Sequence, residues 1–439
     1  MRRNRLRLFA LLFSVILLIS CNGQVGVLIP DFSAYESSDP TGIEITLLHD
    51  FSSEALDGFM RLVEKFNDSN EWDIRVRAIG GSEKDRADLR IVSPSSAVSL
   101  LKTEQSIELS PLLYHPLWGI ENRRRDFYRA ARRQTDYWDF SRKIAAIPLS
   151  MNAELLLINN EILNEYGFSD FPGSWPIMNF LLWKVEKDGR YGGLGMDCSA
   201  DSLVSIINAR GGSILKPNGS SYSFNNPVVN RAIRYVRGAV EDSIIISNSS
   251  AYLNQTDFTF GKLLSVFTGA DGIFYYDKLI TAAHPDLDWS PALLPTRRLG
   301  GGLTVNCGRN AVITAETAET QLAAWIFIRW MASIDTQIEL SLSTGSFPAN
   351  SKAAERLIES PDETAAAVPH QWLDALILFH NGHMNLVPNL PDYQAVSVEF
   401  NKVIEAALSG DSIWIETWKL NRKVLKQRRD EREKKAGRR

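Results

Sequence analysis

Apolar and polar positions follow two periods along this chain, and the two periods take turns. The run IEITLLHDF (43–51) has the aliphatic, β-branched pattern of a strand that ends at a polar turn. In SSEALDGFMRLVEKFNDSN, Leu56, Phe59, Met60, Val63 and Phe66 recur at helical spacing, behind Ser52 or Ser53 as cap. WDIRVRAIG alternates as a second strand. ADLRIVSPSSAVSLL reads as a third strand, then a helix that opens in Ser-Pro-Ser-Ser. KIAAIPLSMNAELLLINNEIL (143–163) is a long β-prone run that continues into a helix, and PGSWPIMNFLLWKVEK predicts a turn and a helix. YGGLGMDCSADSLVSIINARGGSIL predicts a strand, a polar bend, a helix and a stop at Gly211-Gly212. An Asn-capped amphipathic helix follows in NNPVVNRAIRYVRGAVEDSII. FTFGKLLSVFTGADGIFYYDKLI reads as a short helix start, a strand and a turn full of aromatics, with GIFYY extended. LGGGLTVNCGRNAVIT is a glycine-led strand and AETQLAAWIFIRWMAS an amphipathic helix; the remainder is helical apart from NGHMNLVPNLPDY. Repeated α/β units before and after residue 150 predict two open sheets. Ligands collect at the carboxyl ends of strands in such sheets, and in clefts between lobes.

The N-terminus follows another rule. Residues 1–20 carry four arginines and no acid, and from Leu8 to Ser20 there are 13 residues without a charge. A bilayer-crossing helix needs about 20, so the run reads as a secretory signal. It ends in Leu18-Ile19-Ser20-Cys21, which resembles the lipobox of bacterial lipoproteins. That resemblance implies cleavage before Cys21, lipid on its thiol, and a protein held at a membrane face towards the periplasm or cell exterior. Residues 22–42 are rich in Gly, Ser, Pro and Asp and read as a tether.

Charge separates the ends from the middle. The net charge of −4 conceals +4 in residues 1–20 and +8 in 419–439, which leaves the body between them at −16. An acidic body argues against a nucleic-acid partner. The basic tail reads as a solvated, frayed helix end, with contact to anionic lipid as its other reading. The cysteines other than Cys21 are Cys198 and Cys307, and no Cys/His spacing matches a metal site, so neither metal nor cofactor is expected. His380 and His383, the close histidine pair, lack a third ligand and read as surface residues.

Taken in order, these segments resemble the extracellular solute-binding proteins of ABC importers, in the group that binds sugars. The resemblance covers about 45–425 and rests on a series: EITLLHDF with EALDGFMRLVEKFN, ADLRIVSPSS, KIAAIPLSMNAELLLINNEIL, PGSWPIM, FTFGKLLSVFTGADGIFYY, and GGGLTVNCGRN leading through AAWIFIRWMAS to TGSFPAN. It implies an α/β, two-lobed periplasmic-binding-protein-like fold with a ligand cleft between the lobes. It divides the chain into a signal peptide (1–20), a lipidated tether (21–44), lobe one (45–150 and 299–345), lobe two (151–298 and the C-terminal helices 346–425) and a basic tail (426–439). Cys307 then lies on lobe one and Cys198 on lobe two; a disulfide would pin lobes that must move, so free thiols are expected. The implied partners are a small carbohydrate ligand, permease subunits and the membrane, for a monomer that closes on its solute.

A sugar presents C–H faces that stack on aromatic rings and hydroxyls that need donors or acceptors. Residues of those types at strand ends and bends are His49, Asp50, Phe51, Asp88, Ser93, Ser95, Asp197 and Ser199; Asn152 falls where the family's crossing strand places a polar ligand contact, and Tyr393, after Pro391-Asp392, is placed to close the cleft. Several have a plainer reading: Asp50, Ser93 and Ser95 as helix caps, Asp88 as a turn cap, Phe51 as core, Asn152 as a hinge hydrogen bond. By the family's spacing Phe274 is the stacking platform, with Tyr275 as its neighbour, while Gly301 and Gly302 let backbone N–H groups approach a ligand. Trp175, Trp325 and Trp330 read as packing residues. No GxSxG, HExxH or P-loop motif occurs. A glycan hydrolase would need two carboxyls across a cleft, and the order of the two lobes favours capture over turnover. Solute sensing for a membrane receptor uses the same closure and stays open as an alternative.

Overall fold

The computed structural model describes residues 32–436, apart from 52, 82–84, 121–123, 138–142, 248–250, 297–301, 307 and 362–365. Cys21 and the signal segment before it, Gly301 and Cys307 lie outside the described residues.

The alternation in the first segments produces a five-stranded sheet. Strands β1 (Glu44–His49), β2 (Arg75–Gly80) and β3 (Leu89–Val92) run parallel, with β1 between the other two. The amphipathic helix Ser53–Ser69 connects β1 to β2 and buries Phe59, Leu62, Val63 and Phe66. Full burial of such side chains contributes about 1.5–3 kcal/mol each, which is why this stripe, and not local propensity, fixes the helix. Helix Pro94–Lys102 leaves β3 from the cap Ser93 and lies over the small cluster of Val92, Ala97, Val98 and Val312. The short pieces β4 (Asp136–Tyr137) and β5 (Lys143–Ile144) form a separate two-stranded ladder, and β6 (Ile147–Pro148) closes one edge of the main sheet.

Strand β7 (Ser150–Asn159) then leaves for a second sheet. Its core, Leu155 to Ile158, is fully buried, as expected of a central strand with helices on both faces. In that sheet β7 is joined by β8 (Gly192–Gly195), β9 (Ile245–Ile246), β10 (Leu263–Gly269), β11 (Trp289–Ala292), β12 (Gly302–Asn306), β14 (Phe347–Pro348) and β15 (His383–Leu386). The order across this sheet is β15-β12-β7-β10-β8-β9, with β11 and β14 also paired to β7. Strand β13 (Asn310–Ile313) returns to the first sheet and inserts between β3 and β6. One face of β7 (Met151, Ala153, Leu155, Leu157) joins a core continuous with the first lobe. The other (Leu156, Ile158) packs under helices Trp175–Asp188, Ala200–Ala209 and Tyr393–Leu408.

Three expectations change. GLTVNCGRNAVI is not one strand: β12 belongs to the second sheet and β13 to the first, so the return crossing falls near residue 308, not at 299. GIFYY is helical, because Ala270–Gly272 turns directly into helix Ile273–Ala283, so its side chains do not alternate as in a strand. NGHMNLVPNL contains β15, a half-exposed edge strand parallel to β12.

Candidate functional site

At the carboxyl end of β1 the three predicted residues separate. His49 is buried, its ring edge-on to Phe59 at 5.2 Å, and burial holds its imidazole pKa below the ordinary value. Phe51 stacks on Phe59 at 4.3 Å, and the Arg309 guanidinium lies 4.0 Å from its ring centroid. Both faces of that ring are therefore occupied. Asp50 is the exposed member and accepts from Arg309 Nε at 3.1 Å. After β3, Ser93 accepts from the Ser96 amide as an N-cap and its hydroxyl meets those of Ser95 and Ser96.

From Arg309 the network passes to the crossing strand. The Arg309 amide donates to Ser150 Oγ at 3.2 Å, at the start of β7. Two residues on, Asn152 Nδ2 donates to Asp271 Oδ1 at 2.9 Å, and Asn152 Oδ1 accepts from the Ala153 and Asp271 amides. Asn152 thus ties β7 to the turn after β10. Glu154 lies on the same face, one pleat further. Burial raises its carboxyl pKa to about 8, and the carboxylates of Asp201 and Asp271 add to the shift. Asp201 sits in the first turn of the Ala200–Ala209 helix and accepts from Tyr393 Oη at 3.0 Å. Asp197, just before that helix, is raised by burial and by Asp201, and Ser199 caps the helix in a reciprocal pair with Ser202.

The lobes also touch beside this face. Gln134, on helix Arg129–Thr135, donates to the Val305 and Val387 carbonyls at 3.4 and 3.2 Å. Asn389 returns to the Arg133 and Gln134 carbonyls, and Ser96 Oγ reaches Gln394 Oε1 at 3.5 Å.

Asn152, Asp197 and Tyr393 are thus assembled around β7, with Asp50 and Ser93 at the strand ends of the facing lobe. Other predicted residues lie elsewhere. Asp88 opens β3 at the opposite end of the sheet, where its carboxylate accepts from the Thr46 amide at 2.8 Å and its carbonyl from Thr314 and Ala315. It ties strands together. Phe274, in the first turn of its helix, leans on Trp372 with ring centroids 6.2 Å apart and joins the continuous core. Tyr275 is exposed and Tyr276 is the buried ring. Gly302 begins β12 opposite His383. Trp325 is fully buried, Trp330 packs against the core, and Trp175 stands 4.3 Å from the Arg210 guanidinium. Cys198 is a free thiol.

Sequence reasoning missed Glu154, Asp201, Asp271 and Arg309. Glu154 had a signal: a carboxylate inside an apolar strand, two residues after Asn152 and therefore on its face. The others had none, because Asp271 and Arg309 reach the site through turns. Carboxylates, an amide and a phenol accept and donate hydrogen bonds, as recognition of hydroxyls requires. Among the described residues no group of three His, Cys, Asp or Glu could hold a metal ion, and no helix is long and apolar enough to cross a membrane.

Comparison with known proteins places this geometry. Among curated proteins none matches the chain by sequence. The solved sugar-binding protein MalE from Xanthomonas citri superposes with a TM-score of 0.73 at 15% identity, covering 89% of this chain and 99% of that one. The cyclic alpha-maltosyl-1,6-maltose binding protein from Arthrobacter globiformis gives 0.70 at 19% identity, over 87% and 98%. The maltose/maltodextrin-binding domain MalE from Bdellovibrio bacteriovorus, bound to maltotriose, gives 0.67 at 16% identity, over 88% and 100%. This likeness establishes the two-lobed binding-protein fold. The family model for bacterial extracellular solute-binding proteins matches residues 62–370, and the chain belongs to that family.

Proposed function

We propose that the protein captures a sugar or oligosaccharide between its lobes and delivers it to a membrane permease, held at the membrane by lipid on Cys21. The observation that carries this reading is the face of β7, where Asn152 and Glu154 meet Asp271, Asp201 and Tyr393 beside the junction of the lobes. These groups suit a ring of hydroxyls. The structural neighbours include proteins solved with maltotriose and with acarbose, which supports an oligosaccharide. No catalytic role is proposed for any residue.

Titration calorimetry and thermal shift against maltodextrins, manno-oligosaccharides and monosaccharides test the reading. A ligand at a hundredfold excess over Kd adds about 2.7 kcal/mol of stability. Folded protein that binds none of them, or that releases product from them, overturns it. Replacement of Cys21 by Ser removes lipid labelling if the anchor is correct.

A further inference from the structure

The C-terminal helix Ile413–Ala436 has two apolar faces. The inner one is Ile413, Thr417, Leu420 and Val424, all buried at helical spacing. It packs on helices Pro227–Glu241 and Tyr393–Leu408, and Thr417 Oγ1 donates to Asn230 Oδ1 at 3.0 Å. Arg428 adds a further tie through Asp392 and the Ser220 carbonyl. The helix is therefore anchored to lobe two from Ile413 to Arg428.

The outer face is apolar too. Trp414 is 58% exposed, Ile415 43%, Trp418 38% and Leu425 43%. The two indoles stack with centroids 6.4 Å apart, and the Arg422 guanidinium lies 4.7 Å from the Trp418 ring. Single exposed apolar residues are ordinary, but a stripe of them marks a contact surface. This stripe is interleaved with cations: Arg422, Lys426 and Arg429 are exposed on it, and residues 419–439 hold eleven Lys/Arg against three Asp/Glu.

We infer that this outer face is a lipid-binding surface, which lays lobe two against an anionic bilayer. Trp rings settle at the headgroup level, where one edge is apolar and the other wet. Each Lys or Arg near an anionic leaflet adds attraction that fades within a Debye length. A rigid amphipathic helix with both features lies in the interfacial plane. The charge selects the occupant: a net +8 over residues 419–439 of an otherwise acidic protein matches a sheet of phosphates. The inference does not depend on acylation of Cys21 or on the ligand.

The test uses the chain from Asn22 to Arg439, which keeps every described element and lacks both the signal segment and the acyl chains. It is sedimented with phosphatidylglycerol-rich vesicles and with phosphatidylcholine vesicles. The protein should pellet with the anionic vesicles at low salt, with a blue shift of tryptophan emission, and less at about 0.15 M salt. Trp414→Ser with Trp418→Ser should lower the partition coefficient at least about tenfold, and R422E with K426E should remove the preference for anionic lipid, both with unchanged melting curves. R422Q with K426Q covers the case in which the charge reversal misfolds. No pelleting at low salt, or pelleting undiminished by the tryptophan pair, overturns the inference. So does a concentration-dependent dimer that the tryptophan pair dissolves, which assigns the face to a second copy.

Discussion

The side chains of Asn152 and Asp271, 119 positions apart in sequence, meet at 2.9 Å and join the crossing strand to the turn after β10. Asn152 Oδ1 accepts from the Asp271 amide, so the side chain holds the turn through both its nitrogen and its oxygen. Asn152→Ala should cost about 1–2 kcal/mol, the range of a hydrogen bond to a charged partner with some exposure. Asp271→Asn should cost less, because an amide oxygen still accepts. Urea unfolding of the three proteins checks this; equal stability of Asn152→Ala and the parent would show the pair to be idle.

Glu154 makes stability depend on pH. Its carboxyl keeps its proton up to about pH 8 when folded, well above the ordinary 4.5 of a glutamate. The folded state therefore binds more protons than the unfolded state between these values, and stability falls as pH rises through that window. Glu154→Gln removes the titration. The variant should be the more stable protein at pH 9, by about 5 kcal/mol at most, and the gap should narrow towards pH 5. A gap that is flat with pH would mean that the carboxyl is ionised throughout.

Tyr393 donates to Asp201, and burial together with that carboxylate drives its phenol well above the ordinary value. Tyr393→Phe keeps the ring and loses the bond. The expected cost is about 1–2 kcal/mol of stability, together with weaker sugar binding if Asp201 is a ligand contact. Calorimetry beside a melting curve separates the two effects; a variant that melts and binds like the parent removes Tyr393 from the site.

Phe51 and its neighbour Asp50 should behave oppositely. Phe51→Ala opens a hole between Phe59 and Arg309, and aromatic truncation in a core costs about 3–5 kcal/mol. Asp50→Ala breaks one exposed ion pair, worth about 0–1 kcal/mol. Denaturation midpoints of the two variants decide it, and a tolerant Phe51 would return that ring to the binding surface.

Element order was legible because the chain switches cleanly between period two and period 3.6, and because Gly211, Pro94, Asn226 and Ser93 punctuate it. The assignment of GIFYY failed on the same ground: three aromatics favour a strand locally, but Ala270–Gly272 already turns the backbone into a helix, and Tyr276 and Ile273 bury as a helical pair. Strand β15 was invisible because HMNL is short and half-exposed and pairs by its ladder to β12 without a periodic apolar pattern. The site was partly legible. Asn152 and Tyr393 lie at the ends of recognisable elements, whereas Asp271 and Arg309 are brought in by tertiary contacts that leave no local pattern.

The placement of β13 has a consequence for the order of assembly. The first sheet has β13 between β3 and β6, so β3 and β6 wait for residues 310–313, which follow the entire insertion of β7 to β12. Pairing over such sequence separations forms slowly, because loop closure precedes any gain. During synthesis the apolar edges of Ile91 and Ile147 stay unpaired until some three-quarters of the chain has been made. Until then the first sheet keeps an open apolar edge at β3, and its core closes only when β13 returns to it.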